Sequence, residues 1–408
     1  MAELKDREHF IPMRRCDLVD LLARFRDLPQ RDADLFRRFC QVLIATFHHE
    51  YHKQLESLKN AYAPFDPDSD TREVQVPPQS VREVQLDRLF LDFAALMERA
   101  NFKHLRRDDY LEATSGATIW GLNMDVDFDV FERLEVFARG ESVIKRSYRP
   151  WSKGFKKVEM EIPTYRRLAL ILKLRPHKRL GPNPFTNHVL LKIFKDIPKL
   201  DMEMLLPGAR LKMPGFQKGK LGASVASSVG LLAYKFATEM GHVAWEGVVN
   251  RNPLALWGPM SIAATYGYRQ YSGFSQTRKG YHLQLTQSLY YQSLDSNAGV
   301  LCRLLDEAEE QECREAILGY FFLWRLAGAK GWNAEKLDAQ VEQYLEKDAN
   351  IKVDFEIGDA LGKLERLRLV ERTENAYVAV PIETALERLD DAWDNIFQYG
   401  ADARARNA

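Results

Sequence analysis

Two uncharged runs in the middle of the chain constrain it most. Residues 221–234, bounded by Leu221 and Tyr234, hold 14 consecutive positions without a charge, and residues 252–268, bounded by Asn252 and Tyr268, hold 17. A dense run of Lys and Arg precedes the first, Glu239, His242 and Glu246 connect the two, and Arg269, Arg278 and Lys279 follow the second. Basic outer flanks around an acidic connection predict a helical hairpin in or on a membrane, with both ends on the cytoplasmic side. A full span takes about 20 apolar residues at 1.5 Å each. Lys235 can snorkel to lengthen the first run. The small residues Gly222, Ala223, Ser224, Ala226 and Gly230 allow close approach of two helices. Ser, Thr, Tyr and Pro259 dilute both runs, and two buried helices of a soluble core are the competing expectation.

The 408-residue chain has room for two or three domains with apolar cores. Its net charge is zero, but the mean hides a polarity: residues 139–220 hold 20 Lys/Arg against 6 Asp/Glu, a net of +14, and residues 333–397 hold 8 against 16, a net of −8. Opposite blocks imply different neighbours or contact with each other. Cys16, Cys40, Cys302 and Cys313 are scattered without CxxC spacing. That pattern predicts reduced thiols and neither a disulfide framework nor a zinc site. The acidic, polar start of the chain contains no apolar leader segment, so neither secretion nor a transit peptide is expected.

Periodicity predicts an α+β protein. In residues 1–109, Leu18, Leu21, Leu22 and Phe25 share one helical face, as do Leu35, Phe39, Val42 and Leu43. A third helix carries Leu86, Leu89, Phe90, Phe93 and Met97 after a Pro- and Asp-rich break at 64–78, giving a helical N-terminal unit. Residues 110–220 change to strand-like alternation, clearest at 158–162, with apolar runs at 168–174 and 188–194. Gly140, Pro150, Pro163 and Gly181-Pro182 are read as punctuation between five or six short strands. This is the basic antiparallel β domain, open or rolled into a barrel. Residues 221–274 form the apolar hairpin. In 275–408, a helix over 275–291 and another through Ile317–Trp324 are followed by Asn333 as the N-cap of a helix carrying Leu337, Val341, Tyr344 and Leu345. A short strand at 351–355, a helix with Ile357, Leu361, Leu364 and Leu367, and a hairpin around Thr373 complete the order of a winged helix.

Several apparent sites fail on spacing. His48 and His52 stand i,i+4, yet no frame gives HExxH, and a plain helix face is expected. Asp125, Asp127 and Asp129 begin like a calcium loop, but Val130 stands where Gly is needed and Val136 where a bidentate Glu is needed. Alternating acids on the wet face of a strand fit better. Residues 215–221 fall one residue short of a phosphate-binding loop and end in Leu221, which offers no hydroxyl. The winged-helix order suggests DNA binding, but a −8 segment opposes contact with phosphates, so a protein-docking or intramolecular role is expected there. For the basic β region the expectation is a surface for anionic membrane lipid. RNA, favoured only by Tyr148, Trp151, Phe155 and Tyr165 among the charges, and a merely soluble positive face are the alternatives.

Residues 282–299, ending Asp295-Ser296-Asn297-Ala298-Gly299, continue into Glu307, Glu309, Glu310 and Glu312. Upstream stand Phe194-Lys195-Asp196-Ile197-Pro198, then Asp201 to Gly208, and earlier Phe137-Ala138-Arg139-Gly140. Together these resemble the signatures of the domain of unknown function 3754 family, with its transmembrane protein 143-like animal members. The resemblance covers about residues 110–400 and implies a pair of membrane segments between the two signatures. It implies no catalytic residue set. Pro198 suits the first turn of a helix and Gly208 its end, while the four glutamates are expected to form a solvated stripe, with a cation site or a contact to the +14 region as alternatives.

The function this supports is a membrane-associated adaptor or regulatory protein without assigned chemistry, its soluble domains on the cytoplasmic side. No cofactor, metal or catalytic residue is expected. Anionic lipid is the expected partner, a protein docking on the acidic C-terminal domain a second one, and nucleic acid is not expected. The rival is an enzyme whose acids, Asp196, Asp295 and the Glu307–Glu312 cluster, converge in a pocket between the β domain and the helices.

Overall fold

A computed structural model of the chain describes residues 9–26, 28–70, 77–106, 123–148, 158–181, 185–212, 290–355, 357–373 and 376–396. The apolar runs bounded by Leu221, Tyr234, Asn252 and Tyr268 lie outside them, as does nearly all of the helix expected over 275–291. Among the described residues no helix is long and apolar enough to cross a membrane.

The protein is α+β. Helices α1 (Arg15–Ala23), α2 (Gln30–Tyr62) and α3 (Gln79–Arg99) open the chain. Pro29 and Pro78 stand immediately before α2 and α3, where a missing N–H costs nothing. The 33 residues of α2 make a rod of about 50 Å. Strands β1 (Lys103–Leu105), β3 (Phe131–Tyr148), β4 (Val158–Leu174), β5 (Val189–Pro198) and β7 (Ser293–Ser296) form one open sheet in the order β1-β3-β4-β5-β7, every pair antiparallel. The short β2 (Asn123–Asp125) and β6 (Arg210–Lys212) pair separately.

Two of the expected break points are not breaks. Pro163 sits inside the 17-residue β4, opposite Val143, and Gly140 sits inside the 18-residue β3. Five strands lie among the described residues of 110–220, as expected, but β3 and β4 are longer than the punctuation suggests. After β5, residues Lys199–Leu205 form a 3-10 turn instead of the amphipathic α-helix expected there, and Gly208 follows at φ +78°. The acids at 125–129 do not simply alternate on a strand either: Asp127 accepts a bond from the Asp129 amide and pairs with Arg179 at 3.1 Å.

Helix α4 (Ala298–Phe322) organises the interior. Its first half, with Val300, Leu301, Leu304 and Ala308, joins α3, the second half of α2 and one face of the sheet in a common core. Its second half, with Cys313, Ile317, Tyr320 and Phe321, joins α1, the first half of α2 and the C-terminal elements in another. A third core covers the opposite sheet face, where Leu168, Leu170 and Leu172 meet Met202 and Leu206. The N-terminal helices are thus divided between two cores, with α2 crossing from one to the other.

The C-terminal elements are α5 (Ala334–Ala349), α6 (Ile357–Arg366), the hairpin β8 (Val370–Arg372) with β9 (Tyr377–Ala379), and α7 (Ile382–Asp394). Asn333 caps α5, its side chain accepting from the Lys336 amide at 3.1 Å. Residues 351–355 do not form the expected strand. The Ile351 amide donates to the Leu345 carbonyl and the Phe355 amide to the Glu342 carboxylate, so this strap is tied to α5 and buries Val353 and Phe355. The third pairing of the small sheet is instead a bridge between Trp332 and Tyr377.

Candidate functional site

The middle of α4 carries charge through the interior. Glu309, Gln311, Glu312, Arg314 and Glu315 are all buried, which corrects the expectation of a solvated acidic stripe. They lie between Ala308, the last residue of one core, and Ala316 in the next. Each buried charge needs a partner to remain ionised there. Glu309 accepts from Arg15 at 2.8 Å and meets His48 Nδ1 at 3.0 Å. Glu312 lies 3.0 Å from both Arg99 and Lys363, joining α3, α4 and α6. Burial presses the Glu312 carboxyl upward, but Lys363 and Arg99 outweigh it and hold it below the usual value. Glu310 takes Arg314 at 2.7 Å. Gln311 receives the Ile11 amide and donates to Glu315 and to the His9 carbonyl, which fixes the N-terminal strap across α4.

Towards the sheet, the row formed by Arg139 on β3, Arg167 on β4 and Lys195 on β5 runs straight across three adjacent strands, each residue in register with the next. Directly opposed side chains lie about 5 Å apart, and like charges in that arrangement repel. One carboxylate, Glu307 on α4, answers them: Arg139 Nη2 donates to it at 2.5 Å, Arg303 Nε lies 3.4 Å away and Arg167 Nε 3.9 Å away. Arg139 is buried between the rings of Phe10 and Phe102, at 4.4 and 4.7 Å, and donates to the Ala100 carbonyl. Burial lowers its pKa, Glu307 opposes that, and Arg167 and Arg314 add to the lowering. Lys195 has no ion-pair partner among the described residues.

The next row is Gly140, Arg166 and Asp196, where the ladder skips a pairing on both sides of β4. Gly140 has φ +69° and Asp196 φ +52°. A Cβ on Gly140 would lie 3.3 Å from the Arg166 side chain, so glycine lets that chain lie across β3. The interrupted row changes which way side chains face without shifting the register: Tyr165 shares a core with Leu168, three residues on, where regular alternation would separate them. Beside it opens a cleft of about 710 Å³ walled by Lys103, Arg139, Tyr165, Arg166, Arg167 and the strap residue Phe10. Its acids are engaged, Glu141 by Lys199 at 2.9 Å and Asp354 by His9 at 3.6 Å.

The remaining signature residues form a joint. Asp295 pairs in register with Ile193, and Asn297, at φ +52°, exchanges bonds with Leu191: its amide donates to the carbonyl at 2.9 Å and its Oδ1 accepts from the amide at 3.3 Å. Its Nδ2 reaches Asp68 at 2.5 Å. Gly299 is packed so closely under Asp295 that a Cβ would stand 2.0 Å from the carboxylate. Lys195, Asp196 and Pro198 border a separate cavity of about 270 Å³ with Tyr291 and Gln292. Asp196, Asp295 and the glutamates of α4 therefore do not converge on one pocket. Among the described residues no group of three His, Cys, Asp or Glu is arranged to hold a metal ion.

Residues 165–299 match the family model of a protein of unknown function, DUF3754. This segment, 135 of the 408 residues, is similar to the DUF3754 family. The matched segment begins at Tyr165, beside the interrupted row, and ends at Gly299 in the joint, so it contains Arg167, Lys195, Asp196, Asp295 and Asn297, while Arg139 and Glu307 come from outside it. No solved structure matches the chain. Spacing alone missed the Arg139–Arg167–Lys195 row, because register across strands is not written in any one segment. The local signal was Arg139-Gly140, a charge beside a residue free to take positive φ.

Proposed function

We propose that the protein is a membrane-associated adaptor or regulatory scaffold whose folded body holds residues 213–289 at the cytoplasmic face of a bilayer. The observation that carries this is the exposure of the two tyrosines at which the described chain resumes after that segment. The segment follows β6 and rejoins the body at Tyr290 and Tyr291, which are 77% and 73% exposed and stand edge to face at 5.4 Å. Exposed tyrosines at the end of a segment whose sequence holds Arg278, Lys279 and two uncharged runs are the residue types that settle at a membrane–water boundary. The resemblance to transmembrane protein 143-like members points the same way.

The C-terminal elements, ordered helix–bridge–helix–helix–hairpin, are read as winged-helix-like. Their −8 charge supports docking of a protein over contact with nucleic acid. The test is expression of the tagged full chain followed by a carbonate wash of the membranes. Retention in the pellet is the expected result. Complete release would remove the embedded hairpin from the proposal.

A further inference from the structure

We propose that the basic cleft beside the interrupted row of Gly140, Arg166 and Asp196 binds a phosphate monoester, either as a free metabolite or as a lipid headgroup. The warrant is an electrostatic deficit. Arg139, Arg167 and Arg303 share the single carboxylate of Glu307. Only Arg139 makes a directed hydrogen bond to it; the buried Nε atoms of Arg167 and Arg303 have no hydrogen-bond partner among the described residues. A buried donor left unmade is costly; of these two residues Arg167 lines the cleft and Arg303 does not, so Arg167 is the under-paired cation that an anion in the cleft would meet.

The cleft gives that anion access. Arg139 forms its floor, while Arg166, Arg167 and Lys103 reach it from β4 and β1. Its own acids, Glu141 and Asp354, are already opposed by Lys199 and His9. A dianionic phosphoryl group suits this set better than a carboxylate does. It offers three terminal oxygens to a planar guanidinium fork and its neighbours, and its second charge answers the repulsion within the row. Tyr165 adds an aromatic wall for the organic part of the ester. The interrupted row is what makes the arrangement: with alternation broken there, Arg166 and Arg167, neighbours in sequence, both line one opening.

The site stands whether or not residues 221–268 enter a bilayer, and the test keeps the two questions apart. Purified full-length protein is titrated with glycerol 3-phosphate by calorimetry and thermal shift. In parallel it is floated with phosphatidylcholine vesicles with and without phosphatidic acid, which carries the same phosphomonoester. Arg167→Gln and Lys103→Gln are compared with wild type, and Lys330→Gln, on an exposed residue outside the cleft lining, serves as the control. The expected result is binding of at least one probe, weakened about tenfold by Arg167→Gln, the loss of one charge-assisted contact, and unchanged by Lys330→Gln. Binding of glycerol 3-phosphate assigns a free ester. Response to phosphatidic acid alone assigns a headgroup. Arg167→Gln removes a repulsion with Arg139, so the unliganded protein should melt no lower than wild type, which a purely structural Arg167 would not allow. No response to either probe, or an equal response in Arg167→Gln and wild type, overturns the proposal.

Discussion

Replacing Glu312 by Leu is the sharpest test of how α4 is held. The Glu312 side chain is 5% exposed and stands between Arg99 and Lys363, whose side chains are 35% and 14% exposed. Leucine would leave two cations facing each other with nothing between. Breaking a buried pair by removing one partner costs about 3–5 kcal/mol. Arg99 can turn partly into water and keeps its bond to Gln54 at 2.6 Å, so the lower end, about 3 kcal/mol, is the expected loss. Urea unfolding of the full chain, followed by tryptophan fluorescence, measures it. Adding Lys363→Met to Glu312→Leu removes the stranded ammonium and should recover at least half of the loss.

The pH dependence gives the same variant a second reading. The Glu312 carboxyl is held below its ordinary 4.5 in the folded protein, against the pull of burial, by Lys363 and Arg99. Its contribution is therefore complete above 4.5 and is lost as pH falls through the lower folded value. Wild type should lose stability across that acid range, and Glu312→Leu should lose correspondingly less. A loss below about 1 kcal/mol in the single variant, the value of an ordinary exposed pair, would refute the reasoning. Strictly additive effects in the double variant would refute it too.

The joint at the start of α4 supplies two further tests. Asn297→Ala should cost about 2–3 kcal/mol by denaturant titration, from the lost bonds to Leu191 and Asp68 and the positive φ. Asn297→Gly, which accepts that φ, should cost about 1 kcal/mol less. Gly299→Ala should lower the melting temperature, and Asp295→Ala in the same chain should restore most of it, because the clash is with the Asp295 carboxylate. Iodoacetamide at neutral pH should label exposed Cys16 in the native protein and reach Cys40 and Cys313 only after unfolding, as read by peptide mass. Burial pushes the Cys313 thiol up to about 12, against the pull of Arg15, and holds the Cys40 thiol well above its ordinary value.

What could be read from the sequence followed local rules. The apolar faces of α1, α2 and α3, the Asn333 cap and the antiparallel β region depend on neighbours within a few turns, and they are where periodicity placed them. Pro163 and Gly140 misled because a long strand can carry a proline opposite its partner and a glycine at a skipped pairing without ending. Residues 351–355 misled because their amides go to α5, a choice that packing makes. The acidic stripe was the largest misreading: spacing showed Glu309 and Glu312 on one helix, but only the fold supplies Arg15, His48, Arg99 and Lys363 from four other turns of chain. Lys195 was named from its motif, but its place beside Arg167 and Arg139 depends on register.

The ionic belt in the middle of α4 has a practical consequence for handling the protein. Ions in the buffer weaken contacts that water reaches, over a Debye length of about 8 Å at physiological strength, and scarcely touch pairs shut away from it. A strong salt wash should therefore strip an anionic guest from the cleft mouth while Glu309, Glu312 and their partners keep the body intact. Occupied and emptied forms can then be prepared from one batch, without refolding.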